Sequence, residues 1–195
     1  MQGLRFVLLG LIILALTACT ANAPAAPAAA PTMDHSSMAG MDHGTNSADE
    51  PYDAAFIDAM IVHHEGAVVM ANQALAEAER PEIRAMAEEI IRAQEAEIGQ
   101  MQAWRAEWFA DLAPTAGMAM EMGPMEVAAG SEPFEQRFIE AIIPHHEGAI
   151  AMARDALQKS ERPEIRLLAE AIISAQEAEI AQMREWLQAW YGSDY

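Results

Sequence analysis

A single cysteine, Cys19, occurs in the 195 residues, so an intrachain disulfide is excluded and the fold must hold without one even in an oxidising compartment. Basic residues are scarce: 11 Lys and Arg stand against 30 Asp and Glu, a formal charge of −19. Such a surface attracts cations and repels nucleic acid and anionic lipid headgroups, which argues strongly against a nucleic-acid role. Residues 19–49 lack the aliphatic branched and aromatic side chains that offset the entropy of ordering a chain. Rich in Ala, Pro, Ser and Gly, this stretch reads as a flexible tether. Residues 50–192 remain, enough for one packed core.

The N-terminus is of another kind. Arg5 precedes an apolar run from Phe6 to Leu16, too short for a comfortable membrane span and shaped like a secretory signal over residues 1–18. Leu16-Thr17-Ala18-Cys19 is similar to a bacterial lipobox, which implies cleavage before Cys19 and attachment of lipid to it. Removing the signal deletes Arg5 and no acidic residue, so the mature chain is more acidic still. The expected location is outside the cell membrane, anchored by lipid and facing the periplasm or the cell exterior.

The most informative feature is a repeat. Phe56–Trp108 aligns without a gap onto Phe138–Trp190 at a constant offset of 82, with 33 of 53 pairs identical. Each copy is rich in Ala, Glu, Ile, Met, Gln and Arg and has neither Asn-Gly turns nor strand alternation. In the first copy Ile83, Ala87, Ile90, Gln94, Ile98, Met101 and Trp108 form one helical stripe. Pro81 and Pro163 are tolerated only in a first helical turn, so helices end near Glu79 and Glu161 and restart there, with Glu82 and Glu164 near the new positive ends. Two helical hairpins follow, repeat one at 52–109 and repeat two at 133–191. The crossover at 110–132 contains Pro114, Gly117, Gly123, Pro124 and Gly130. The predicted fold is all-α, a four-helix bundle built from two duplicated hairpins, with a crossover long enough for a ferritin-like arrangement. Pro144, inside the third helix, should kink or bulge it just before its histidines.

Polar residues interrupt the apolar stripes. His63-His64-Glu65 and His145-His146-Glu147 place adjacent imidazoles about 100° apart on a helix, so one of each pair can face the core while the other looks sideways. Turning the first hairpin near residue 80 sets Met60 across from Met101, His64 across from Glu97 and Ala67 across from Gln94. The second copy sets His146 across from Glu179 and Ala149 across from Gln176; Ile142 replaces Met60 and Met183 remains. Met70 and Met152 follow two turns beyond the histidines. Imidazole, thioether and carboxylate so arranged suit copper, thioether favouring Cu(I) and imidazole both oxidation states, with zinc and silver as competing ions. Alone, Met101, Met183, Trp104 and Trp186 read as core packing. A doublet of histidines is harder to reduce to packing, because it buries at least one polar ring.

Two further segments lie outside the helices. Met33, His35, Met38, Met41 and His43 crowd the tether, and Met118, Met120, Met122 and Met125 crowd the crossover loop. Gly, Pro and Ser surround them, and exposed thioethers are liable to oxidation, so soft-metal capture is their expected use. They resemble the Met/His-rich motifs of exported copper-resistance proteins.

The repeated pattern resembles the bacterial family catalogued as domain of unknown function 305. The matching positions are Phe56, Met60, His63, His64, Met70, Gln94, Glu97, Met101 and Trp104, then Phe138, His145, His146, Met152, Gln176, Glu179, Met183 and Trp186. Ile142 departs from the family's methionine. The resemblance implies a ferritin-like helical fold and an exported protein, some members binding copper. The leading expectation is a binding lipoprotein that sequesters, buffers or delivers copper, a delivery role calling for a partner that receives it. One alternative is a structural lipoprotein without metal. Another is a ferritin-like oxidase, which needs Glu three residues before a ligand histidine; Met60, Ile61, Ile142 and Ile143 stand there instead.

Overall fold

A computed structural model describes residues 51–118 and 122–193. By internal contacts the chain divides into residues 1–41 and 42–195, and every described residue belongs to the second unit. Four helices follow in order: α1 (Tyr52–Glu77), α2 (Pro81–Trp108), α3 (Phe134–Lys159) and α4 (Pro163–Tyr191). Pro81 and Pro163 open α2 and α4 at the position where a missing N–H costs nothing. Gly192 ends α4 in the left-handed conformation, φ 65°. Despite Pro144, α3 runs unbroken.

Each hairpin packs on itself, and the two meet along α1 and α3. Phe56, early in α1, shares a cluster with Met152, Ala153 and Ala156, late in α3. Met70, later in α1, shares another with Phe138, early in α3, so the two helices run antiparallel. Their contact is rich in alanine, which brings the backbones close. Because α1 is covered on several sides, it is apolar nearly all round.

The expected four-helix, all-α architecture is present, with a core in two parts. One end of the bundle packs Phe56, Ile57, Met60, Met101, Met152 and Ile172. The other packs Met70, Ile83, Ile90, Phe138, Ile142 and Met183. Each cluster draws on all four helices, and an approximate two-fold relation exchanges them, as the repeat requires. Between the clusters lies a polar layer, His63, His64, Gln94, His145, His146 and Gln176, every member buried.

Candidate metal centre

The four histidines of the two doublets are fully inaccessible to solvent. The sequence suggested that one of each doublet would look sideways. Instead the second histidine of each pair faces its own hairpin, and the first faces the other hairpin. His64 Nε2 lies 2.7 Å from Glu97 Oε2 in a hydrogen bond. His146 Nε2 lies 2.8 Å from Glu179 Oε2, the equivalent contact, but off the line of a hydrogen bond.

His63 and His145 meet where α1 crosses α3, with ring centroids 3.8 Å apart. Each ring lies near the other histidine's backbone, but among the described residues neither Nδ1 nor Nε2 makes a hydrogen bond of good geometry. Buried polar groups are nearly always paired, so two adjacent orphaned rings require an explanation. Burial, reinforced by the neighbouring imidazoles, pushes His63 down to about 3 and His145 down to about 2. Both rings are therefore neutral at physiological pH, the form that offers a lone pair to a metal.

The crossover loop reaches the same place. Thr115 is bonded to Asp58, and Gly117 sits against the Ala59 backbone. Gly123, at φ 69°, comes so near α3 that an added Cβ would stand 2.9 Å from His145 Cα, which only glycine allows. Met125 then lies over Gly66: a Cβ there would fall 2.7 Å from the Met125 sulfur and 3.1 Å from His145 Nε2. Thioether and imidazole thus flank one point. Beyond it Val127 N donates to Gln73 Oε1 at 2.8 Å.

The other predicted donors fall elsewhere. Met60 and Met101 meet across the first hairpin and join Met152 in one cluster, while Met70 and Met183 lie in the other. Gln94 and Gln176 are buried with Oε1 unpaired among the described residues. Met118 and Met122, expected on loose chain, are half-buried against the Phe56 cluster, because the loop is drawn into the α1–α3 groove. Met120, the tether residues Met33, His35, Met38, Met41 and His43, and Cys19 lie outside the described residues. Among the described residues no three His, Cys, Asp or Glu side chains converge, and the further soft donor that the structure sets beside His145 is the Met125 thioether. Reading each hairpin separately missed the His63–His145 pair and the role of Gly66. A glycine in a helix interior costs about 1 kcal/mol relative to alanine, and its presence after His-His-Glu was the available signal of a close approach.

Known proteins resemble this chain in sequence and fold. The family model described as Domain of unknown function (DUF305) matches residues 16–105 and 53–187. Among solved structures, CopM in the Cu(I)-bound form is 40% identical with a TM-score of 0.63, over 73% of this chain and all of its own. CopM in an Ag-bound form gives the same values. A DUF305 fragment from Deinococcus radiodurans is 28% identical with a TM-score of 0.60, over 72% of this chain and 97% of its own. A search of curated proteins found no match. With that span of sequence and the same helical fold, the chain belongs to the DUF305 family.

Proposed function

We propose that this protein is an exported, lipid-anchored copper-binding protein, not an enzyme, and that it holds a cuprous ion where α1, α3 and the crossover loop meet. The observation that carries the reading is the pair of buried, neutral, unpartnered imidazoles of His63 and His145. Met125 supplies the soft third donor. Two imidazoles and a thioether carry no charge, so a monovalent ion is the easiest to bury among them. The CopM structures with Cu(I), Cu(II) and Ag support copper as cargo and silver as its competitor. His64–Glu97 and His146–Glu179 orient the doublets from outside. Met33, His35, Met38, Met41 and His43 form a capturing segment on the tether, and Cys19 carries the lipid. The ion is sequestered there or passed to a delivery partner.

Anaerobic Cu(I) titration of the mature protein against a chromophoric chelator tests this. Joint replacement of His63 and His145 by leucine should abolish the tightest site. Because it removes two uncompensated buried polar rings, it should leave the metal-free protein as stable as the parent or more so. Undiminished affinity in this double variant would refute the assignment.

A further inference from the structure

The loop that brings Met125 to the histidines is fastened by a guanidinium and an amide that only the first repeat possesses, together with a carboxylate. Arg105, near the end of α2, donates from Nε to Asp58 Oδ1 at 2.8 Å. Its other nitrogens donate to the carbonyls of Phe109 at 2.6 Å, Leu112 at 3.1 Å and Ala113 at 2.8 Å. The second Asp58 oxygen accepts Thr115 N at 2.8 Å and Thr115 Oγ1 at 2.9 Å. One guanidinium and one carboxylate, both largely shielded from water, therefore close the first turn of the loop onto α1. At the far side Gln73 holds Val127. The offset of 82 places Glu140, Leu187 and Asp155 where repeat one has Asp58, Arg105 and Gln73. Leu187 has no donor, and Asp155 accepts the Tyr52 hydroxyl instead. The guanidinium and the amide are thus absent from the second repeat, and its carboxylate, Glu140, accepts Gln136 Nε2 at 2.8 Å instead.

We infer that Asp58, Arg105 and Gln73 are positioning residues that stretch the loop along α1 and keep the Met125 thioether beside His145. The duplicated bundle then presents one central metal site in place of one per hairpin. This rests on the copper reading, but its first consequence concerns the metal-free protein. A guanidinium bonded to three backbone carbonyls and a carboxylate restricts the chain that leaves α2 as far as Thr115, and Gln73 restricts it again at Val127, whatever the loop later binds.

Arg105→Leu, which installs the repeat-two residue, and Asp58→Ala are the informative variants. In metal-free protein, hydrogen exchange across 113–127 should quicken at least about tenfold while amides within α1–α4 stay protected. In Cu(I)-loaded protein, X-ray absorption should show sulfur scattering lost and nitrogen scattering kept. Affinity should fall about 10- to 100-fold. Arg105→Lys, which can still reach Asp58, should restore part of the sulfur signal. Unchanged loop exchange would overturn the inference, as would faster exchange with the sulfur shell intact. A parent protein that binds no Cu(I) would refute the copper reading, and the exchange result would then decide the clasp alone.

Discussion

Replacing Gly66 with alanine tests the centre without touching any proposed ligand. The new methyl group would stand 2.6 Å from Met125 Cε, 2.7 Å from its sulfur and 3.1 Å from His145 Nε2. Carbon contacts prefer about 3.5–4.0 Å, so the thioether must retreat by about 1 Å or more. It is the end of a flexible side chain on a loop, whereas the imidazole is held in the packed interior of α3. The sulfur therefore moves and the ring stays. For the metal-free protein two terms oppose: alanine in a helix interior gains about 1 kcal/mol over glycine, and crowding costs about 1–3 kcal/mol where neighbours cannot yield. Because Met125 can yield, the net change should lie within about 1 kcal/mol. Cu(I) affinity, by contrast, should drop at least about tenfold, since the third donor is displaced. Met125→Leu should do the same by removing the sulfur at similar volume, and the double variant should be no worse than either alone. Chelator competition and urea unfolding read the two quantities separately. Parental affinity in a folded Gly66→Ala protein would refute the shared point between thioether and imidazole.

Two more outcomes follow from the geometry. The two central histidines, held at about 3 and about 2 against a usual 6.5, stay unprotonated in the fold while the unfolded chain takes up protons. Stability of the metal-free protein is therefore full above pH 6.5 and falls as the pH drops below it, by up to about 1.4 kcal/mol per unit for each ring. Urea unfolding between pH 7.5 and 5 should show this slope and lose most of it when both are leucine; an equal slope in that variant would contradict it. At the bundle ends each hairpin clamps the other: Arg80 stacks on Trp190 at 4.0 Å and Arg162 on Trp108 at 4.2 Å. Arg80→Ala should cost about 0.5–2 kcal/mol and shift tryptophan emission, and an unchanged melting temperature would count against the clamp.

Much of the fold was legible in the chain because its determinants are local. The prolines at 81 and 163 set where hairpins turn, and the turn sets a register that puts His64 opposite Glu97, where the two are hydrogen-bonded. The same local logic explains what was misjudged. Periodicity ranks positions along one helix and within one hairpin, so each doublet was paired with its own returning helix. His63 meets His145 only because α1 crosses α3, a contact between residues 82 apart that no turn prescribes. Met118, Met122 and Met125 looked like loose chain because glycine and proline surround them. Those same residues let the loop lie flat in the groove, with Gly123 against the His145 backbone.

The sequence by itself determined the duplication, the helices, the acidic surface and the supply of imidazole and thioether as candidate donors, since each follows from composition and short-range spacing. Which of these groups share a point was decided only by the tertiary structure. Antiparallel packing of α1 on α3 joins one histidine from each repeat, and the Asp58–Arg105 clasp draws one methionine loop over them. Long-range packing energy selects that arrangement.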